Sequence, residues 1–347
     1  MANVTVVVGA QFGSEGKGAI CGHLGKKMDE ADLAIRVAGP NAGHTVYGAD
    51  HTEWKLRAVP VAAVTSRDCG LHIAAGSEID VEVLLDEVNR LDEAGYHVTD
   101  RLTIHPSATI LSQRHKTAEM NLGLVGRIGS TGKGIGAARA DRIMRAADTA
   151  SQLTGVFGSK DGSRQWLDDP IVTLEDYGHV VIEGTQGYGL GLHTKFYPQV
   201  TSSDCRAIDF LAMAGISPWS ENVDALRVIL VARMYPIRVA GNSGPLKNET
   251  SWEELGLPLE HTTVTNKVRR VGDWDQALVT DAIRCNGGGD YNPNVVLALT
   301  MIDQRFPDNR DKTDLDDAAF EFVNELEEQL RTEVAYAGTG PETVVEL

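Results

Sequence analysis

The chain has 347 residues, of which 42% are hydrophobic and 23% are charged, and this globular composition excludes an intrinsically disordered protein. No apolar run approaches the roughly 20 residues that a membrane-spanning helix needs. A net charge of −17 excludes a protein that coats DNA or RNA through a basic surface, although it does not exclude small anionic ligands.

Hydrophobic periodicity predicts an alternation of strands and helices along the chain. In chain order we expect a strand over 4–8, a helix over about 16–28, strands over 33–37 and 71–75, helices over 80–94 and 112–122, strands over 180–182, 226–232 and 295–299, and a long final helix over 318–336. Such alternation is typical of an α/β fold with a mostly parallel central sheet. Because the chain shows no repeat and no linker, we expect a single large domain over residues 1–347.

The N-terminal residues and the cysteines indicate the cellular compartment in which we expect the protein. The first residues predict a strand and not a secretory signal peptide. The four cysteines have no metal-ligand spacing, and we expect buried free thiols in a reducing cytoplasm at Cys21, Cys69, Cys205 and Cys285. Neither a membrane nor a nucleic acid is expected as a partner.

The glycine-rich segment after the first strand has the features of a phosphate-binding loop. Residues 9–19 (GAQFGSEGKGA) lie between this strand and the first helix, so backbone N–H groups and the helix N-terminus can bind phosphate oxygens. Lys17 can add a positive charge. The segment is not a Walker A loop, because Gln11 stands at its first glycine and Gly18 stands at its magnesium-binding hydroxyl. A glycine-rich turn with a surface lysine is the alternative.

Further polar segments follow the other strands or lie between elements. They occupy 39–45, 128–136, 183–187, 200–204, 262–270, 299–303 and 338–341. The adjacent hydroxyls of Ser130 and Thr131 suit a monophosphate, and the hydroxyls near Arg269 suit a carboxylate substrate. Asn41 can bind the edge of a base, and His44 can donate to a developing charge. Turns, a flexible linker, a helix cap and a solvated charged face are the alternatives. The residues alone predict a phosphoryl-transfer enzyme or a ligase that uses a nucleotide.

These segments, in this order, resemble those of adenylosuccinate synthetase over nearly the whole chain. The family motif Gly-Asp-Glu-Gly-Lys-Gly-Lys appears at 13–19 as Gly-Ser-Glu-Gly-Lys-Gly-Ala, and Asn-Ala-Gly-His-Thr is intact at 41–45. Two further motifs appear with changes at 129–136 and 183–187, and Tyr-Pro-x-Val-Thr-Ser-Ser is intact at 197–203. The resemblance implies the P-loop-like fold of that family, a ligase that couples IMP and L-aspartate with GTP, Mg²⁺ as cofactor, and a homodimer.

Three positions depart from the family pattern. Ser14 replaces the aspartate that takes the N1 proton of IMP, and Lys267, after Asn266, replaces the arginine that contacts the ribose hydroxyl. Met301 replaces a lysine that helps to recognise guanine in GTP, although Asp303 is kept. These departures resemble the phage branch, 2-aminoadenylosuccinate synthase, which acts on dGMP for 2-aminoadenine DNA. Its triphosphate is then expected to be ATP or dATP, with GTP less favoured. A short Ser14 leaves room for the 2-amino group.

The resemblance assigns roles to individual residues. The implied catalytic residues are Ser14, Lys17, His44 and Gln186. The implied dGMP-binding residues are Ser14, Asn41, Ser130, Thr131, Arg145, Gln186, Thr201 and Lys267, with Arg145 supplied across the dimer interface. The implied aspartate-binding residues are Thr263, Val264, Thr265 and Arg269. The implied triphosphate-binding residues are Gly13, Ser14, Glu15, Gly16, Lys17, Gly18, Ala19, Gly43, His44, Thr45, Asp303, Gly340 and Pro341. The implied Mg²⁺ ligands are Ser14 and Gly43.

Two other functions remain compatible with these residues. One is an ordinary adenylosuccinate synthetase that acts on IMP with GTP. The other is a nucleotide-binding regulator that has lost catalysis together with the motif aspartate.

Overall fold

The computed structural model describes residues 1–157, 166–167, 173–262 and 267–347. Its strands are β1 (Ala2–Gly9), β2 (Leu33–Arg36), β3 (His44–Tyr47), β4 (Glu53–Leu56), β5 (Gly70–Ile73), β6 (Glu78–Ile79), β7 (Leu102–Ile104), β8 (Thr109–Ile110), β9 (His179–Glu183), β10 (Val223–Arg233), β11 (Ile237–Arg238), β12 (Glu249–Thr250), β13 (Arg270–Gly272), β14 (Val295–Thr300), β15 (Val334–Gly338) and β16 (Val344–Glu346). Its α-helices are α1 (Lys17–Gly25), α2 (Ala62–Thr65), α3 (Val81–Glu93), α4 (Gln113–Asn121), α5 (Leu124–Ile128), α6 (Ile135–Ile143), α7 (Thr154–Phe157), α8 (Ala207–Ala214), α9 (Gln276–Cys285) and α10 (Asp317–Leu330).

The centre of the molecule is a nine-stranded sheet in the order β16-β15-β14-β10-β1-β9-β2-β5-β7. Every neighbouring pair in it is parallel except the edge pair of β15 and β16. The predicted α/β fold with a mostly parallel central sheet is therefore confirmed. That one domain spans residues 1–347 stays a prediction.

Helices cover both faces of the sheet because β1 is apolar on both sides. Val7 belongs to a core that also contains Ile20 of α1 and Leu84 of α3. Val6 and Val8 point to the opposite face, where the core contains residues of α8, α9 and α10. Side chains alternate between faces along a strand, so a run of valines fits a strand that is buried on both sides. None of the helices in the described part of the chain combines the length and apolarity that crossing a membrane requires.

Two sequence predictions are wrong in this structure. The predicted helix over 318–336 ends at Leu330, because Arg331 adopts a left-handed conformation with φ of 51°. The chain then forms β15, whose five residues are buried beside β14. A short buried strand has no polar face, so its apolar pattern continues that of the preceding helix. Cys285 is exposed and not buried, whereas the other three cysteines are buried and free as expected.

Candidate active site

A cleft of about 920 Å³ opens at the carboxyl ends of the central strands. Its walls come from the segments that follow β1, β2, β9, β14 and β15, which is where an open parallel sheet places its ligands. Most of the predicted site residues lie in its lining. They are Gly13, Ser14, Gly16, Lys17, Gly18, Ala19, Asn41, Gly43, His44, Thr45, Ser130, Thr131, Gln186, Lys267, Arg269, Asp303, Gly340 and Pro341.

The remaining predicted residues lie elsewhere. Thr201 lines an adjoining cavity of about 330 Å³, which shares Ser130, Thr131 and Gln186 with the main cleft. Glu15 is fully buried beneath the glycine-rich loop. Arg145 is exposed and outside both linings, as far as the described residues go. Thr263, Val264 and Thr265 fall outside the residues that the structure describes.

The loop between β1 and α1 already binds an anionic group of the protein itself. The carboxylate of Glu15 accepts the N–H of Gly13 at 2.7 Å, the N–H of Gln11 at 3.1 Å and the ammonium of Lys17 at 2.6 Å. Gly13 and Gly16 both have φ of 87°, a left-handed conformation that lets consecutive N–H groups converge. The loop therefore has the geometry of an anion-binding site, and the ammonium group of Lys17 is held beside it by Glu15.

Gly18 follows Lys17 because the backbone of β3 approaches closely there. A Cβ atom at this position would lie only 2.5 Å from the carbonyl oxygen of Thr45. A serine or threonine, which a Walker A loop has here, would therefore displace the strand that carries His44 and Thr45. This packing gives a physical reason for the missing hydroxyl.

Arg36, His44 and Glu183 form a buried ionic cluster in the cleft wall. His44 Nδ1 lies 2.5 Å from Glu183 Oε1 and 2.6 Å from Arg36 Nη1, and Arg36 is also paired with Glu183. The other oxygen of Glu183 accepts the N–H of Val61 at 2.9 Å. Burial, reinforced by Arg36, lowers the pKa of His44 to about 4, against the hydrogen bond to Glu183. The imidazole is therefore neutral at pH 7 in the nucleotide-free protein.

This cluster decides which nitrogen of His44 faces a ligand. Since Nδ1 contacts Glu183 and Arg36, Nε2 is the ring nitrogen available to a group bound in the cleft. A phosphate in the cleft favours the protonated ring, because its negative charge opposes the effect of burial. The ring can then donate from Nε2 while Glu183 accepts from Nδ1. Glu183 is thus a positioning residue for His44.

A second ionic cluster holds Arg269. Glu260 pairs with the fully buried Arg233 at 2.5 Å and with Arg269 at 3.2 Å. Burial favours a raised pKa for Glu260, but Arg233 and Arg269 lower it to about 2. Glu260 therefore stays charged and fixes the guanidinium of Arg269 in the cleft wall.

Sequence reasoning assigned no role to four members of these two clusters, Arg36, Glu183, Arg233 and Glu260, although Glu183 opens the polar segment 183–187. Three of them share a signal, since Arg36, Glu183 and Arg233 are the last residues of the buried strands β2, β9 and β10. A charged side chain at the carboxyl end of a buried parallel strand points to the ligand edge of the sheet. Glu260 lies in a loop and carries no such signal.

The segment 129–136 is held in place by one carboxylate. Glu119 of α4, which is buried, accepts the N–H of Gly134 at 2.9 Å and the N–H of Gly136 at 2.8 Å. These N–H groups belong to the first turn of α6, so Glu119 caps that helix. Ser130 and Thr131, in the same segment, line both cavities.

Oxygen donors suitable for Mg²⁺ are present at the glycine-rich loop. The Ser14 hydroxyl and the Gly43 carbonyl both belong to residues of the cleft lining, and Mg²⁺ prefers oxygen ligands. Within the described ranges, no group of three or more His, Cys, Asp or Glu side chains is arranged to hold a metal. These residues therefore fit an ion that takes most of its ligands from nucleotide phosphates and water.

The sheet order divides the cleft into two ends. Asn41 and Gln186 follow β2 and β9, which lie on one side of β1, whereas Asp303 and Pro341 follow β14 and β15 on the other side. The glycine-rich loop stands between the two ends. The cleft can therefore hold two ligands that meet at this loop.

Comparison with known proteins supports this geometry. A family model described as adenylosuccinate synthetase matches residues 6–161 and 161–305. The adenylosuccinate synthetase of Methanococcus aeolicus is 37% identical over 97% of both chains. That of Pyrococcus horikoshii is 36% identical over 97% of this chain and 96% of its own.

Two solved structures are similar in fold. Succinoaminodeoxyadenylate synthetase of cyanophage S-2L, bound to dGMP and dATP as an energy donor, has a TM-score of 0.81 and 29% identity and covers 100% of this chain and 95% of its own. Fully ligated adenylosuccinate synthetase from Plasmodium falciparum has a TM-score of 0.79 over 100% of both chains, at 20% identity. The resemblance predicted from the motifs is confirmed.

Proposed function

This chain belongs to the adenylosuccinate synthetase family, and from that premise we propose that it joins L-aspartate to C6 of dGMP. The products are 2-amino-2′-deoxy-N6-succinyladenylate, a nucleoside diphosphate and phosphate. ATP or dATP supplies the energy, and the reaction serves the synthesis of 2-aminoadenine DNA in a phage. Ser14 carries the proposal, because it places a small neutral side chain in the cleft where the family motif has an aspartate.

The chemistry of dGMP supports this reading. Guanine differs from hypoxanthine by a 2-amino group beside N1, and serine leaves more space there than aspartate does. Lys267 lines the same cleft in place of the arginine that contacts a ribose hydroxyl, and a deoxyribose lacks the 2′ hydroxyl. The cyanophage relative, with its bound dGMP and dATP, gives independent support.

The proposed reaction has two steps. The purine O6 attacks the γ-phosphorus as N1 releases its proton to solvent, so that the phosphoryl group moves to O6 and the nucleoside diphosphate leaves. The aspartate amine then attacks C6, the C6–O6 bond breaks, and inorganic phosphate leaves while the amine loses a proton. Both steps place negative charge on phosphate oxygens, which positioned donors stabilise.

The residues of the cleft have distinct tasks in this scheme. Gly13 to Ala19, with Gly43 and Thr45, bind the triphosphate, and Lys17 exchanges Glu15 for a phosphate oxygen. His44, oriented by Glu183, donates to the phosphoryl group from Nε2. Asn41 and Gln186 bind the purine O6. Ser130, Thr131 and Thr201 bind the 5′-phosphate of dGMP, while Arg269 and residues 263–265 bind aspartate. Asp303, Gly340 and Pro341 flank the base of the triphosphate.

Ser14 and Gly43 are the residues that would hold Mg²⁺. When bound, the ion supplies neutralising charge for the phosphates of the triphosphate. Ser14 itself contributes a neutral hydroxyl at the N1 edge of the purine, since its pKa excludes it as a resident base at neutral pH.

A homodimer completes the proposed site. Arg145 is exposed and lies just after α6, and exposed apolar side chains lie in or directly after α4, α5 and α6. These side chains are Met120, Leu122, Val125, Ile143 and Met144, each at least 47% exposed. An apolar surface of this kind is typical of an interface. We propose that it pairs two copies and brings Arg145 to the dGMP phosphate of the partner.

The second candidate is an ordinary adenylosuccinate synthetase that uses IMP and GTP. The two archaeal relatives favour it, because they are named adenylosuccinate synthetase and are 37% and 36% identical. Intact His44, Lys17 and Arg269 support either enzyme over a regulator without catalysis.

One assay separates these functions. Protein, Mg²⁺, L-aspartate and ATP or GTP are mixed with dGMP or IMP, and phosphate release is followed. We expect dGMP to be used in preference to IMP. Turnover of IMP with no turnover of dGMP contradicts the proposal, and no turnover of either supports a regulator.

The variant Ser14→Asp tests whether the small neutral side chain of Ser14 determines the choice between dGMP and IMP. Ser14 has φ of 58°, a left-handed conformation that aspartate tolerates, so the loop keeps its shape. The larger, charged side chain crowds the 2-amino group, and the preference should move toward IMP. Ser14→Ala is the control: it stays small, so its preference should remain with dGMP even where its activity falls.

A further inference from the structure

Arg310 lies against the carboxylate of Asp303 at the triphosphate end of the cleft. Asp303 is 8% exposed, and Arg310 Nη1 donates to its Oδ2. Both residues line the cleft, and the side chain of Arg310 is 58% exposed. A ligand at this end therefore meets a carboxylate and a guanidinium together.

The short segment that carries Arg310 is anchored on both sides. Asn309, fully buried, donates to Asp316 at 2.8 Å and accepts the N–H of Asp316 at 2.8 Å. Asp311 donates its N–H to the carbonyl oxygen of Thr339 at 3.1 Å, and its carboxylate lies 3.5 Å from Arg310 Nε. The guanidinium is thus held between two carboxylates at the ends of β14 and β15.

The two purine bases present different edges to such a pair. Guanine offers two donors, N1–H and the 2-amino group, which match the two acceptor oxygens of a free carboxylate. Adenine offers an acceptor at N1 and a donor at its 6-amino group, so a free carboxylate opposes its N1. A guanidinium beside the carboxylate supplies the missing donor, and the pair then matches adenine.

We propose that Arg310 determines the base of the triphosphate, by turning Asp303 from a guanine-binding carboxylate into half of an adenine-binding pair. Met301 fits this assignment, because the thioether lining the same end offers no charge to the guanine carbonyl. The inference rests on the proposed function in one respect, that the β14 end of the cleft takes the triphosphate base.

Arg310→Met tests the proposal, because methionine keeps an apolar stem and removes the charge. Arg305→Met is the matched control: Arg305 lies two residues after Asp303 in the same region and packs over the ring of Phe322, 4.6 Å from its centroid. We expect the ratio of kcat/KM for ATP to that for GTP to fall at least about tenfold in Arg310→Met, mainly through KM. The control should keep the wild-type ratio.

Binding of ADP and GDP, measured by calorimetry without a monophosphate, gives a second readout that does not depend on turnover. We expect the ADP affinity of Arg310→Met to fall relative to its GDP affinity. An equal loss for both nucleotides shows that Arg310 binds phosphate, and an unchanged ratio shows that it does not select the base; either result overturns the proposal. If the wild type uses IMP and not dGMP, the proposed function fails while both ratios still test Arg310. If neither ADP nor GDP binds to the wild type, both the proposed function and the role of Arg310 fail.

Discussion

The imidazole of His44 lies in a buried position that disfavours its charged form, and this makes the fold sensitive to acid. Its pKa is about 4 in the folded chain and 6.5 as the ordinary value. A folded pKa below the unfolded one means that the unfolded chain binds more protons between these values. The stability that depends on a neutral His44 is therefore fully present above pH 6.5 and is lost as the pH falls to about 4. The loss amounts to about 3 kcal/mol.

Denaturant unfolding of the nucleotide-free protein from pH 7 to pH 4 measures this loss. The variant His44→Gln should lack the part of this loss of unfolding free energy that the protonation of His44 causes. His51→Gln is the matched control, since the side chain of His51 is 81% exposed, and it should keep the wild-type profile. The pKa of Glu260 is lowered to about 2, so its own contribution is lost between pH 4.5 and about 2, which lies almost entirely below the range measured. A wild-type profile that is flat down to pH 4 contradicts the assignment.

The residues of the cleft show how far the sequence could be interpreted. Contiguous motifs predict that Lys17, His44 and Gln186 lie together, and all three line the cleft because each glycine-rich segment follows a strand of the sheet. Glu260 could not be predicted, because its role depends on Arg233, which is 27 positions away along the chain and meets it only after folding. Ion pairs between distant segments leave no periodicity for a single sequence to show.

The helix α6 illustrates how an element presents a binding segment. Its first turn directs the N–H groups of Gly134 and Gly136 at Glu119 and not at a ligand. The helix therefore positions the hydroxyls of Ser130 and Thr131 through Glu119. Its own N-terminus is already occupied by this carboxylate.

Glu119→Ala should loosen this segment. The buried N–H of Gly134 and the partly buried N–H of Gly136 lose their acceptor, and a buried group left unsatisfied costs about 1–3 kcal/mol. We expect a lower free energy of unfolding and a KM for the monophosphate raised about tenfold or more, while the KM for aspartate changes little. Glu325→Ala, on the exposed face of α10, is the control. Equal changes in both KM values point to a general loss of structure and not to the segment.

The long strands and helices of the chain follow from its sequence, and the short elements do not. The apolar patterns of the strand β1 and the helix α3 are long and regular, so they predict both elements to within two residues at each end. The hairpin of β3 and β4 has only four residues on each strand, too few to show an alternation. The edge strand β16 pairs antiparallel with β15 and is partly exposed, so neither its direction nor its burial follows from a local pattern.

The molecule as a whole arranges its two proposed nucleotides around one loop. The sheet order places β9 and β2 on one side of β1, and β10, β14 and β15 on the other. In the proposed reaction a phosphoryl group therefore moves across the carboxyl end of β1, between ligands that do not share a subsite. This separation explains why changes at Ser14 and at Arg310 are expected to alter the choice of monophosphate and of triphosphate independently.

The proposed dimer makes each site depend on two chains, since Lys17 comes from one protomer and Arg145 from its partner. Arg145→Ala and Lys17→Ala should each abolish most activity alone, because each removes a phosphate-binding cation from every site. When the two variants are mixed and exchange subunits, half of the dimers are mixed, and one of the two sites in each has both wild-type residues. Activity should therefore recover to about a quarter of the wild-type value.

Native mass spectrometry of the mixture, with one variant labelled, establishes that the subunits exchange. Exchange without recovery shows that Arg145 acts within its own chain or not at all, and Met144→Asp, placed in the apolar surface, should abolish both the dimer and the recovery.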